Sequence, residues 1–225
     1  METLVLLSGG LDSAVLLAHE ARGARVHPLY VSAGLSWEPL ERAMVEQLLA
    51  SSTFHGAVEP LASVEFSMRD VYAADHWAVR GTPPAYDTRD EDVYLPGRNL
   101  VLLTKAGVVA AARNLSRIAL GPLAGNPFPD ATPEFFAAMQ RTLTLGLDHA
   151  VEISTPFSAM HKEDVIRIGK ELGVPFELTL SCMNPVSAGG VPLHCGLCSK
   201  CRERRDAFRA AGVEDPTRYG NRSPR

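Results

Sequence analysis

Short apolar runs alternate with helix-period stretches over most of the chain. Thr3 to Leu7 is a short, largely apolar run ending in a glycine-rich turn, the pattern of a buried strand feeding a loop. Ala14 to Ala21 then reads as a helix, with Asp12 or Ser13 as its N-cap. Arg25 to Val31 reads as a strand, Leu40 to Leu49 as a helix and Ala57 to Leu61 as a weak third strand. From Glu65 to Pro96 the rhythm breaks. This stretch is polar, proline-bearing and poorly periodic, which points to a functional or mobile segment. Leu100 to Arg113 is apolar enough to predict a helix buried on most of its surface. Arg117 to Leu120 predicts a strand, and Gly121 to Pro133 a loop rich in proline and glycine. Pro133 to Leu147 predicts a helix, with Thr132 as N-cap and proline in the first position. Val151 to Ser154 predicts a strand, and Glu163 to Leu172 a helix closed by Gly173.

Strands alternating with helices imply an α/β fold: a doubly wound, mostly parallel, Rossmann-like sheet covered on both faces. The composition changes near residue 175, dividing the chain into residues 1–175 and a C-terminal region of residues 176–225. In such sheets ligands bind outside the carboxyl ends of the strands. Three loops at those ends are unusual in content: 8–13, 121–133 and 154–162.

Composition narrows the classes. The 225 residues are 46% hydrophobic and 21% charged, which excludes a disordered chain. No apolar stretch is long enough to span a membrane. The N-terminus lacks the basic start of a signal peptide, so a cytoplasmic protein is expected. The net charge of −4 argues against a nucleic-acid partner. The one basic cluster, Arg202 to Arg205, reads as a solvated helix face.

The string Leu7-Ser8-Gly9-Gly10-Leu11-Asp12-Ser13 lies between the first strand and the first helix. Small residues there let backbone N–H groups turn inward, and the helix start adds its positive end; together they suit a phosphate. Ser8 and Ser13 add hydroxyls, and Asp12 could bear on a magnesium ion or on the helix start. The string resembles the PP-loop of the ATP-pyrophosphatase superfamily, whose members adenylate a carbonyl or carboxylate oxygen and release pyrophosphate.

All four cysteines fall in one window: Cys182, Cys195, Cys198 and Cys201. The last three stand at C-x2-C-x2-C spacing, which suits a closed tetrahedral site for one structural zinc ion per chain. Four thiolates also suit an iron–sulfur cluster, and unligated thiols are the remaining reading. His194 could replace one thiolate, but four cysteines already complete the shell. The run Arg202 to Ala211 predicts a helix packed on this site.

The loop and the cysteines together resemble the 7-cyano-7-deazaguanine synthase family. Further stretches agree: Pro96-Gly97-Arg98-Asn99 leading into a helix, Phe128-Pro129-Asp130 followed by Pro133-Glu134-Phe135, Thr155-Pro156-Phe157 with Lys162, and Glu177 running to Cys182. Two loops depart from it. Tyr30 to Trp37 replaces the family's Asp-Tyr-Gly-Gln string, and Gly121 to Pro127 is short and lacks the family's acid. The resemblance implies conversion of 7-carboxy-7-deazaguanine and ammonia to the nitrile with ATP and Mg2+, in queuosine or deazapurine biosynthesis. It implies ATP on Leu7 to Ser13, catalytic roles for Asp12, Arg98 and Lys162, and substrate contacts from Arg98, Asn126 and Asp130. It also implies zinc on the four cysteines and a homodimer. Two alternatives stay open: a related ligase acting on another heteroaromatic carboxylate, and a tRNA-modifying or sulfur-transferring ATP pyrophosphatase with catalytic thiols.

Overall fold

A computed structural model of the chain describes residues 2–221. Five strands form one parallel sheet: β1 (Glu2–Leu6), β2 (Arg25–Ser32), β3 (Ala62–Glu65), β4 (Arg117–Ala119) and β5 (Glu152–Ser154). Their order is β3-β2-β1-β4-β5, so the winding reverses between β1 and β4. The crevice at that reversal is where sheets of this kind take ligands.

Along β1 the period of two sends side chains to opposite faces. Val5, with Leu7 just beyond the strand, faces a core built with α1 (Leu11–Glu20), α2 (Glu38–Leu49), α6 (Lys162–Glu171) and α7 (Ser199–Ala211). Leu4 and Leu6 face the other core, built with α4 (Arg98–Ala112) and α5 (Pro133–Leu147). Leu4 and Val5 are wholly buried; each such side chain contributes about 1.5–3 kcal/mol. A third cluster roofs the strand ends. It joins Leu35 and Trp37 to the cysteines and to Met68, Tyr72, Ala78, Val93 and Leu95. The segment after β3 is therefore pinned by scattered apolar anchors, and it includes the short helix α3 (Trp77–Arg80).

Several expectations are corrected. The third strand is Ala62–Glu65, not 57–61; Val58 makes only an isolated bridge to Val26, and Pro60 cannot donate to a ladder. Helix α1 begins at Leu11 with Gly10 as N-cap and no side-chain cap, so neither Asp12 nor Ser13 caps it. Helix α4 buries one stripe (Leu103, Ala106, Gly107, Ala110) and exposes Leu100 and Val108, because only one side meets the sheet. The Arg202–Arg205 run is not a solvated face: Arg204 is 1% exposed, since α7 turns it into the core. A hairpin of β6 (Val186–Ala188) and β7 (Val191–Leu193) was unforeseen. It turns on Gly189 and Gly190, both at positive φ, the geometry a two-residue hairpin loop needs. Thr132 does cap α5, accepting from the Phe135 amide at 3.1 Å.

Candidate active site and cysteine centre

The loop after β1 is tied internally through two serines. Ser13 Oγ donates to the Gly10 carbonyl at 2.9 Å and accepts from the Ser8 amide at 3.3 Å. The Gly10 amide donates to Ser8 Oγ at 3.3 Å. Gly9 is required where it stands: its φ is +77°, and a Cβ there would lie 2.6 Å from Val45 Cγ2. The first N–H groups of α1 have no intrahelical acceptor and no side-chain cap, so an anion at the loop would find donors waiting.

Asp12 projects from the first turn of α1. One of its oxygens lies 3.2 Å from Lys162 Nζ; the other is buried with no hydrogen-bond partner. Burial raises the Asp12 pKa against the pull of Lys162. Lys162, at the start of α6, also contacts Glu203 of α7. Burial opposes its charge, but Asp12 and Glu203 outweigh that and raise its pKa. Burial likewise opposes the Glu203 charge, yet Lys162 and Lys200 hold Glu203 down at about 2. Lys200 reaches Glu203 at 2.6 Å and Asp90 at 3.6 Å. The glycine loop is thus wired by charge to the helix that carries the last cysteine.

A cavity of about 350 Å³ opens beside this loop, over the ends of β1 and β2. It brings together Leu7, Ser8, Gly10, Leu11, Asp12, Ser13, Arg98, Asn126 and Asp130. Gly9 and Lys162 do not line it; Lys162 reaches it through Asp12. The three loops at the strand ends converge: the Ala124 amide donates to the Met160 carbonyl at 2.9 Å, joining 121–133 to 154–162. Arg98 starts α4 and holds its Nε buried without a hydrogen-bond partner. Asp130 is partly committed elsewhere, because its Oδ2 accepts from the Asn99 amide at 3.1 Å and so fastens the start of α4. Asn126 is a turn residue, its Oδ1 accepting from the Phe128 amide at 3.0 Å.

Some cavity residues escaped the sequence reading. Trp37 and Trp77 stack at 5.8 Å and 13°, and Tyr94 stacks on Phe128 at 5.0 Å, giving flat apolar walls. Glu41 sits on the inner face of α2 and accepts from the Tyr30 hydroxyl at 2.7 Å. Burial raises its pKa to about 7, opposed by Arg98 and Tyr30. The available signal was an acid in the apolar stripe Glu41, Met44, Val45, Leu48. Trp37, Tyr94 and Phe128 lie on irregular chain and Trp77 opens the four-residue α3, too short for a period to mark it.

The four cysteines are all buried, with their sulfurs within 4.8 Å of one another. Cys182 and Cys198 are 3.9 Å apart, Cys195 and Cys201 3.9 Å, Cys198 and Cys201 3.5 Å. A single ion with four sulfurs at about 2.3 Å needs edges near ~3.8 Å. The set fits one tetrahedral ion and leaves no room for a cluster of several irons with bridging sulfides. Backbone amides of Asn184, Cys195 and Leu197 point at the sulfurs within 3.3 Å, stabilising thiolates. Gly196 is confined by the Asn221 carbonyl, 2.2 Å from where its Cβ would stand. His194 does not replace a thiolate in the cluster; its Nε2 accepts from the Ser181 amide at 3.1 Å.

Residues 2–212 match the family described as "Queuosine biosynthesis protein QueC". The chain belongs to this family. A 7-cyano-7-deazaguanine synthase of Methanopyrus kandleri is 35% identical to it, over 96% of this chain and 98% of its own length. Enzymes of the same name are 34% identical in Methanoculleus marisnigri (97% and 98% covered) and in Anaeromyxobacter dehalogenans (96% and 94%). QueC membership therefore extends through the C-terminal cysteines, as the loop and cysteine motifs together implied. A solved structure described as a predicted subunit of tRNA methyltransferase from Methanocaldococcus jannaschii aligns at TM-score 0.48 and 15% identity, covering 99% of this chain and 94% of its own. That likeness is too loose to bear on the reading. Among the described residues, no helix is long and apolar enough to cross a membrane.

Proposed function

We propose that this protein is an ATP-dependent ligase converting 7-carboxy-7-deazaguanine and ammonia to 7-cyano-7-deazaguanine. The observation that carries the reading is the cavity itself. It sets two buried, unpartnered polar atoms, Asp12 Oδ and Arg98 Nε, beside an uncapped helix start and between aromatic walls. Those groups suit a polyphosphate, a carboxylate and a planar ring held together.

A carboxylate resists attack by ammonia because oxide would have to leave. In this reading its oxygen attacks the α-phosphorus of ATP, and pyrophosphate departs. Ammonia then displaces AMP from the acyl-adenylate and leaves the amide. The amide oxygen attacks a second ATP, pyrophosphate again departs, and loss of AMP and a proton gives the nitrile. No protein nucleophile is needed; positioning and charge neutralisation supply the rate. The N–H groups at the start of α1, with Ser8 and Ser13, would hold the phosphates. Asp12 offers its free oxygen to Mg2+, whose bound charge would neutralise phosphate oxygens. Lys162, held between Asp12 and Glu203, would meet the departing pyrophosphate. Arg98 has the fork geometry for the substrate carboxylate. Asp130 and Asn126 shape the pocket's rim by fastening α4 and the 126–128 turn. Zinc on the four cysteines would fix the start of α7, and with it Lys200 and Glu203. The same reading takes a cytoplasmic homodimer as the working form.

The test is product release from purified protein. AMP should be released over many turnovers only when 7-carboxy-7-deazaguanine and ammonia are both supplied with ATP, while the acid and ATP alone should give at most one pyrophosphate per active site. Equal turnover with other heteroaromatic acids would move the assignment to a different carboxylate.

A further inference from the structure

Glu41 is a buried acid that the fold does not account for. It occupies the apolar stripe of α2, is 7% exposed, and lines the cavity. An acid there is costly unless its oxygens are satisfied. Its neighbour one turn earlier shows what a structural acid looks like in the same helix. Glu38 accepts from Ser32 Oγ at 2.6 Å, the Ala33 amide at 2.8 Å and the Gly34 amide at 3.2 Å, and so builds the turn after β2. Glu41 accepts the Tyr30 hydroxyl at 2.7 Å, with the Trp37 side chain as a second donor and the Arg98 charge nearby, and no backbone amide serves it as in Glu38. An ionised carboxylate has about four acceptor sites. The unused capacity faces the same space as the free Nε of Arg98 and the flat faces of Trp37 and Trp77.

We propose that Glu41 is the specificity-determining acceptor for the N–H edge of the heterocyclic substrate, with Arg98 holding the carboxylate at its other end. The assignment rests on the functional reading above. A 2-amino-4-oxopyrimidine ring presents a ring N–H and an exocyclic amine side by side, a pair of donors that one carboxylate can receive together. Burial holds the Glu41 pKa at about 7, so donors arriving from a ligand would tip it to the charged form near neutral pH. A ring lacking the amine would leave the buried carboxyl under-satisfied and would be rejected.

Calorimetry on the full-length protein, saturated with a non-hydrolysable ATP analogue and Mg2+, tests this. The ligands are 7-carboxy-7-deazaguanine and its analogue without the 2-amino group. Wild type should bind the analogue roughly 10–100-fold more weakly, the range for a hydrogen bond to a charged group. Glu41→Gln, of the same shape and still able to accept from Tyr30, should lose affinity for the natural ligand and hold the two ligands within about 3-fold of each other. Its affinity for the ATP analogue should not change, which also reports that it is folded. Full discrimination retained by Glu41→Gln would overturn the assignment. Loss of affinity for the ATP analogue alone would hand Glu41 to the adenine base instead. Failure of wild type to bind the carboxylate would sink the functional reading as well, and so differs from failure of Glu41 alone.

Discussion

Arg204 and Arg98 are both drawn inward, and their surroundings could hardly differ more. Arg204 on α7 donates to Thr217 Oγ1 at 2.6 Å, Thr179 Oγ1 at 2.9 Å, Ser181 Oγ at 3.2 Å and the Phe176 carbonyl at 2.8 Å. Its charge also has Asp215 at 3.8 Å. Arg98 lines the cavity, and its buried Nε has no hydrogen-bond partner. The same contrast separates the regions around them. Among the described residues, the buried polar side chains of the C-terminal region have partners, with Ser199 Oγ as the exception at the start of α7. The wall of the cavity leaves one oxygen of Asp12 and the Nε of Arg98 unspent. Burial without a partner costs about 1–3 kcal/mol per group, so such atoms persist where a ligand offsets the cost. A satisfied arginine holds the fold; an unsatisfied one awaits a substrate.

The largest expected effect falls on the cysteine centre. On the proposed zinc site, Cys198→Ser should abolish metal binding and unfold the C-terminal region, because the affinity of such a site is folding free energy of order ~10 kcal/mol. Metal analysis and thermal unfolding check this, and full stability without metal would remove zinc from the account. At the other end, Asp12→Ala should cut ATP turnover by about 10²–10³-fold while the melting temperature holds. Its mirror is Arg204→Met, which should cost about 3 kcal/mol of stability yet leave the turnover of folded molecules near wild type. If Asp12→Ala lowers stability and spares turnover, the division between spent and unspent groups fails.

A smaller effect concerns pH. The Glu41 pKa rises from 4.5 to about 7 on folding, with burial the leading cause. A raised acid binds its proton more tightly when folded, so its contribution is full below about 4.5 and is lost as the pH climbs toward 7. Glu41→Gln removes that titration. Its stability relative to wild type should therefore rise between those values, by up to about 3 kcal/mol. Denaturant midpoints of both proteins across that range measure it; parallel curves would place the Glu41 pKa near its unfolded value.

These residues also mark how far the sequence alone could be read. The alternation of apolar runs and helix periods foretold the parallel sheet, since β1, β2 and β4 are mostly buried and each is followed by a helix. The Ser8–Ser13 loop between β1 and α1 and the clustering of the cysteines were legible because each rests on a short pattern of fixed spacing along the chain. The pocket's walls were not. Trp77, Val93 and Tyr94 come from a stretch without period, and only tertiary packing brings them over the strand ends. Glu41 was hidden in a regular helix, where a lone acid at one apolar position looks like a surface residue. Strand β3 was misplaced because Val58 and Val64 both suit a strand, and pairing with Leu29–Ser32 decided for the second.

The central claim is that the substrate's own carboxylate oxygens are activated by adenylation, and labelled oxygen tests it most directly. With both carboxylate oxygens of 7-carboxy-7-deazaguanine carrying 18O, and with ammonia and excess ATP, each nitrile formed should be matched by two AMP molecules. Each AMP should carry one labelled oxygen on its phosphate, and none of the label should reach water or pyrophosphate. Label released to water, or a product that stops at the singly labelled amide, would contradict the account.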